Sequence, residues 1–271
     1  MKDLLYNIRT QATARCAKVA VGLQKRSEDV FNSVLNAHRR GHAKVIIVCP
    51  EGEGWPQGVE CVSARDPAET MISMLRRGEV DAAVRGTLSA SGVIAEVKIQ
   101  FKVDRMLRIA LLTTARGSPF FLAPIGVDEG ETLNEKAELI EAGVELHRRL
   151  GVNPKVSILS GGRLEDLGRS RLVDESLKNG EKLVRMMEER GKFEVKHHGI
   201  LVEEALREGY TFIIAPSGIS GNLIFRALVF LGGGMAIGAP YMGVPKPLVD
   251  VSRAMGDVSD AIALASALTK P

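Results

Sequence analysis

AKVIIVC (43–49) is a continuous apolar run. A half-exposed strand would alternate polar and apolar residues, so an uninterrupted run of this length fits a strand covered on both faces, as in a parallel sheet. GVECVS (58–63) follows as a second strand. DPAETMISMLRRG (66–78) then reads as a helix with an acidic first turn, a basic last turn and a closing glycine, the signs that complement a helix dipole. DAAV (81–84) returns to strand, and RGTLSASG (85–92) leaves it.

The alternation continues outward from there. Before the run, the first 40 residues read as helices, with Ser27 an N-cap ahead of EDVFNSVLNAHRR and Gly41 a stop. After it, LRIALLT (107–113), FFLAPIG (120–126), KVSILS (155–160) and YTFIIAP (210–216) are strands, and MAIGAP and KPLVDVS add two short ones. The predicted helices are TLNEKAELIEAGVELHRRLG (132–151), capped by Thr132, RSRLVDESLKNGEKLVRMMEERG (169–191), NLIFRALVFLG (222–232) and DVSDAIALASAL (257–268). Strands alternating with helices predict parallel sheets with helices on their faces. No repeat of 20–50 residues and no low-complexity linker is present. Two α/β domains without a flexible connector fit the 271 residues.

Composition narrows the class. Apolar residues make up 45% and charged residues 25%, near the globular average, which excludes disorder, collagen and coiled coil as the main state. Aromatics are only 4%, so the core is aliphatic. The net charge of +3 is too balanced for a general nucleic-acid binder. Cys16, Cys49 and Cys61 form no CxxC pair, which argues against a disulfide framework or a zinc knuckle and for a reducing cytoplasm. The N-terminal stretch has no long apolar core and no run of 18 apolar residues occurs, so neither a secretory signal nor a membrane partner is expected.

Ligands of open parallel sheets sit at the C-terminal ends of strands. The exits here carry Arg85-Gly86-Thr87 after DAAV, Ser160-Gly161-Gly162-Arg163 after KVSIL, Ser217 to Asn222 after FIIAP, and Ser252-Arg253 after PLVDV. Glycines admit a ligand to backbone N–H groups, helix starts favour anions, and arginine forks match phosphate geometry. The set reads as a site for a phosphate-containing small molecule. GxxxxGK[ST] is absent and no GxGxxG opens a helix after a strand, which disfavours P-loop and dinucleotide folds. His197-His198 lacks an HExxH context and adjacent residues point apart, so a solvated pair is expected and no metal site. Met186-Met187 and Cys49 read as packing residues, and HRR at 38–40 and 147–149 as helix-end charges.

PSGISGNLIFRALVFLGGGMAIGAPYMGVPKPLVDVSRA (216–254) resembles the C-terminal part of the phosphate acetyl/butyryltransferases. Ser220-Gly221-Asn222, Gly238-Ala239-Pro240, Gly243, Lys246-Pro247 and Asp250-Val251-Ser252-Arg253 keep that family's order and close to its spacing. The full-length layout is most similar to a methanogen branch known as Mtx subunit X or methanogenesis marker protein 4. The resemblance implies an isocitrate/isopropylmalate dehydrogenase-like fold: two parallel-sheet α/β domains flanking a cleft, one of residues 1–103 completed by 242–271, the other of 104–241.

It further implies a catalytic set of Ser252, Arg253 and Asp260, with Asp257 as the other candidate base. The implied substrate contacts include Ser220, Gly221, Asn222 and Arg226, beside Arg85, Gly86, Thr87, Gly161, Gly162 and Arg163 from the strand exits. An acyl phosphate is the implied substrate, with CoA a candidate co-substrate and no tightly bound cofactor, in a homodimer paired through FFLAPIG and NLIFRALVFLG. Methyl transfer and non-catalytic phosphate sensing are the alternative functions. The family's S-x-S-T-K-G is replaced by Ser160-Gly161-Gly162-Arg163, its D-G-E-L-Q-x-D falls on HGILVEE (198–204), and Met255 replaces a cysteine. The phosphoryl end is kept and the acyl and CoA end is altered.

Overall fold

The computed structural model describes residues 3–52, 57–191, 193–252 and 256–270. It divides into two compact units, one of Asp3–Met106 with Ile237–Pro271 and the other of Leu107–Ala236.

The first segment runs α1 (Leu4–Arg15), β1 (Lys18–Gly22), α2 (Glu28–Arg39), β2 (Lys44–Pro50), β3 (Glu60–Ala64), α3 (Pro67–Arg77), β4 (Ala82–Val84) and α4 (Ala90–Phe101). β2 takes up AKVIIVC from its second residue onward, and Val45 to Cys49 are all buried. Asp66 caps α3 by accepting from the N–H groups of Ala68 and Glu69, both at 3.0 Å, a contact typically worth ~1 kcal/mol. The predicted all-helical opening is corrected by β1. Its KVAVG is a central strand, with Val19 to Val21 fully buried and parallel partners on both sides. Two valines alternating with alanine in a short run satisfy a covered strand as well as a helix face, and tertiary pairing decides.

The second unit contains β5 (Leu107–Arg108), β6 (Ala110–Thr113), β7 (Pro119–Ala123), α5 (Leu133–Arg149), β8 (Lys155–Leu159), a 3-10 turn (Leu164–Asp166), α6 (Arg171–Arg190), β9 (Glu194–Gly199), α7 (Val202–Arg207), β10 (Phe212–Ile214) and α8 (Gly218–Phe230). Its strands lie in the order β6-β7-β10-β8-β9. β7, β10, β8 and β9 are parallel, whereas β6 and β7 form an antiparallel hairpin. Thr132 starts α5 with a reciprocal capping box: its hydroxyl accepts from Glu135 N–H and the Glu135 carboxylate accepts from Thr132 N–H, both at 3.2 Å.

The predicted helix-end role of His147 is corrected. It is fully buried, 4.3 Å from the Phe121 ring and 5.4 Å from that of Phe212. Burial pulls its imidazole down to about 4, against the opposing pull of its contacts to Gly143 and Thr211.

The chain closes with β11 (Met235–Met242), β12 (Leu248–Asp250) and α9 (Ser259–Ala267). They complete the first unit's sheet, ordered β3-β2-β1-β4-β12-β11. β12 runs parallel to β4 and antiparallel to β11. One face packs Ile46, Val48 and Ala83 against Met71, Leu75, Val93 and Val97 of α3 and α4. α9 is buried from Ala261 to Ala267, because its alanines let it sit among α1, α2 and the strands. Each large aliphatic side chain so buried contributes about 1.5–3 kcal/mol.

Candidate ligand-binding site

In the first unit, β4 and β12 lie side by side; Arg85 follows the first and Asp250 ends the second. Arg85 is 4% exposed. Its Nε–H donates to Asp250, and its two terminal nitrogens donate to the carbonyls of Leu88 and Val251. The other Asp250 oxygen accepts from the Tyr241 hydroxyl at 3.2 Å. The expected substrate contact from Arg85 is therefore not what this placement provides: the fork binds protein and holds the residues leading to Ser252. Gly86 has φ +59°, and a Cβ there would lie 2.1 Å from the Gly22 carbonyl oxygen, so this glycine admits a neighbouring loop. Thr87 accepts from Gln24 N–H at 2.8 Å. Ser252 is half-buried. Arg253 lies outside the described residues.

The two candidate bases sit at the start of α9. Asp257 precedes it, accepting from Ser259 N–H at 2.8 Å. Asp260 faces Arg9 in a two-pronged pair of 2.8 and 2.9 Å. A carboxylate held this way is oriented, and its proton-accepting oxygens are shared with a guanidinium.

In the second unit, the β8 exit places Ser160 almost wholly inside, with its hydroxyl 2.9 Å from His197 Nε2. Gly161 N–H donates to Ser176 of α6 at 2.8 Å. Gly162 is buried. Arg163 is exposed, and its N–H donates to Asp166 at 2.9 Å. At the β10 exit, Ser217 and Ser220 form the capping box of α8. A Cβ at Gly221 would lie 1.8 Å from the Pro124 carbonyl oxygen, and Asn222 donates to the Ile125 carbonyl at 2.9 Å. The Ser-Gly-Asn signature thus locks α8 onto the loop after β7. Arg226 is exposed, its guanidinium 5.3 Å from the centre of the Phe230 ring.

The expected solvated histidine pair is corrected as well. Both lie on β9 and point to opposite faces. His198 is buried between Ser157 at 2.9 Å and Glu208 at 3.2 Å. His197 is half-buried against Ser160, and burial lowers its affinity for a proton. Among the described residues no group of three or more His, Cys, Asp or Glu converges, and no helix is long and apolar enough to cross a membrane.

One feature escaped the strand-exit reading. Between α5 and α6, at the C-terminal ends of β8 and β10, lies a hollow of about 230 Å³ that Lys136, Ser176 and Asn179 help to line. Its polar residues come from helix interiors, where no exit-loop signal marks them.

No family model matches the chain. The Mtx subunit X of Methanosarcina mazei, a protein named for a methyltransferase, is 44% identical over 271 residues, covering 99% of this chain and 96% of the relative. The EutD phosphotransacetylase of Staphylococcus aureus superposes with a TM-score of 0.72 over 98% of each chain, at 16% identity. A branched-chain phosphotransacylase of Enterococcus faecalis gives 0.76 over 94% of this chain and all of the other, at 15% identity. At such identities the likeness concerns the fold, a dehydrogenase-like α/β architecture also seen in 4-hydroxythreonine-4-phosphate dehydrogenase. The chain belongs to the Mtx subunit X family, and its fold is like that of the two phosphotransacylases.

Proposed function

We propose that the chain is a cytoplasmic phosphotransacylase-like transferase that acts on an acyl phosphate or a related phosphoester, with CoA as the acceptor thiol. The observation that carries this reading is the buried Arg85–Asp250 pair. It fixes the strand end immediately before Ser252-Arg253, the stretch that matches the phosphoryl end of the resembled family. A free thiol titrates near ~8.5 and needs a base to attack well. Asp260 takes the thiol proton, the sulfur bonds to the acyl carbon, and the bond from that carbon to the phosphate oxygen breaks. Arg253 meets the charge that grows on the leaving phosphate, and Ser252 donates a hydrogen bond to its oxygens.

Phosphate binding tests the first half of this scheme. Tens of millimolar inorganic phosphate should raise the melting temperature above that in chloride of equal ionic strength. The gain should vanish in Ser252→Ala. An unchanged melting curve in wild type would remove the phosphate site.

The hold of Arg9 on Asp260 favours a second reading, binding of a phosphate ligand without turnover. The name of the Methanosarcina relative favours a role beside methyl transfer. Acyl-phosphate-dependent acylation of CoA separates turnover from both.

We also propose that the protein works as a homodimer. α8 is largely apolar, yet of its residues only Gly218 and Gly221 are buried. Ile219 and Leu223 are each at least 60% exposed. Such a helix needs a cover, and a twofold copy of the same helix is the commonest kind. Light scattering at micromolar concentration should give twice the 29.3 kDa chain mass, and Leu223→Glu should halve it. A monomer mass for wild type would overturn the dimer.

A further inference from the structure

The hollow between α5 and α6 has the makings of a binding site built within the second unit alone. It opens at the C-terminal ends of β8 and β10, where open sheets hold ligands. Leu133, Ile158, Leu159, Leu183, Ile214 and Pro216 give it an aliphatic wall. The volume of about 230 Å³ lies below the roughly 300–1,000 Å³ of sites for drug-sized ligands, so the occupant is a small molecule.

Among the described residues, one cation serves this wall. Lys136, in the first turn of α5, lines the hollow, and its ammonium makes no hydrogen bond or ion pair among the described residues. The neighbouring acids are committed or peripheral. Glu135 spends its carboxylate on the N–H groups of Glu131 and Thr132. Glu175 lies 3.4 Å from Arg171, and Glu131 is exposed. Burial holds the Lys136 ammonium below the ordinary lysine value, against a smaller opposing pull from Glu135. A bound anion would relieve that penalty.

The other polar groups are neutral. Ser176 accepts from Gly161 N–H, which leaves its hydroxyl hydrogen as a donor, and Asn179 carries an amide. A phosphate dianion fits poorly. Among the described residues no arginine lines the hollow, so the usual fork is missing, and the carboxylates of Glu131 and Glu175 at its edge repel a second negative charge.

We propose that this hollow binds a small monocarboxylate with a compact apolar body. The carboxylate pairs with Lys136, assisted by Ser176 and Asn179, and the carbons lie against Leu183 and Ile214. The proposal stands independently of acyl transfer.

Isobutyrate is the probe, isobutyramide its uncharged isostere, and amide NMR shifts of the full chain the readout. Isobutyrate should produce saturable shifts at Lys136, Ser176 and Gly180 in the millimolar range, and isobutyramide should not. Lys136→Met should weaken binding about tenfold or more, the usual worth of a charge-assisted hydrogen bond, while Lys136→Arg keeps most of it. Leu172 lies at the rim and is 78% exposed, so Leu172→Trp should block the hollow at unchanged melting temperature. Equal binding of acid and amide, wild-type binding by Lys136→Met, absence of saturable shifts at these residues, or stronger shifts there with inorganic phosphate would each overturn the proposal.

Discussion

Asp250→Ala should destabilise the first unit by about 3–5 kcal/mol, the usual cost of removing one partner from a buried ion pair. The reason is what it leaves behind. Arg85 is 4% exposed, so its guanidinium would keep two carbonyl partners and lose its counter-ion. The Tyr241 hydroxyl would lose its acceptor as well. Urea unfolding followed on a probe in the first unit should show the midpoint fall steeply. Asp250→Asn should cost less, because an amide oxygen still accepts from the arginine. Replacing both partners together, Arg85→Met with Asp250→Leu, should recover much of the loss, since a packed apolar pair of similar volume is often neutral or better. A loss below ~1 kcal/mol in Asp250→Ala would mean that water reaches the pair and that it does not fix the approach to Ser252.

The same pair shows how far the sequence could be read. AKVIIVC announced a covered strand because nothing else buries so long an apolar run, and the caps at Asp66 and Thr132 are local chemistry that a few residues specify. Arg85 was equally visible, but an arginine after a strand can face a ligand or a distant carboxylate. Its partner lies 165 residues further on, beyond the reach of any local pattern. Gly221 has the same ambiguity. A glycine at a helix start admits a phosphate or a backbone, and here it is the Pro124 carbonyl. Strands were missed for a different reason. β9, EVKHHG, is polar on paper, and its buried His198 and half-buried His197 are held by hydrogen bonds to Ser157, Ser160 and Glu208 rather than by hydrophobicity. The segment that matched a known family was legible as a family trait, while the work its residues do inside the fold was not.

Arg253→Lys should lower the acylation rate about 10²–10³-fold if the protein transfers acyl groups, the usual loss for one preorganised donor at a developing charge. Lysine keeps the charge but loses the planar two-pronged geometry that matches a phosphate, so phosphate affinity should fall far less than the rate. That split between rate and affinity is the signature of an interaction made mainly in the transition state. Asp260→Asn should leave phosphate binding intact and remove thiol activation. It also breaks the pair with Arg9, a partly exposed contact worth at most about 1 kcal/mol, so the folded state should survive. Arg9→Gln adds the control. If Arg9 only orients Asp260, its loss should cut the rate modestly; if the pair is purely structural, Asp260→Asn and Arg9→Gln should both turn over like wild type. The assay is CoA acylation from acetyl and butyryl phosphate, run beside phosphate titration on all four proteins. Absence of turnover in wild type would sink acyl transfer from those donors, and the same Arg253→Lys would then register in phosphate affinity alone, as expected of a chain that binds its ligand without transforming it.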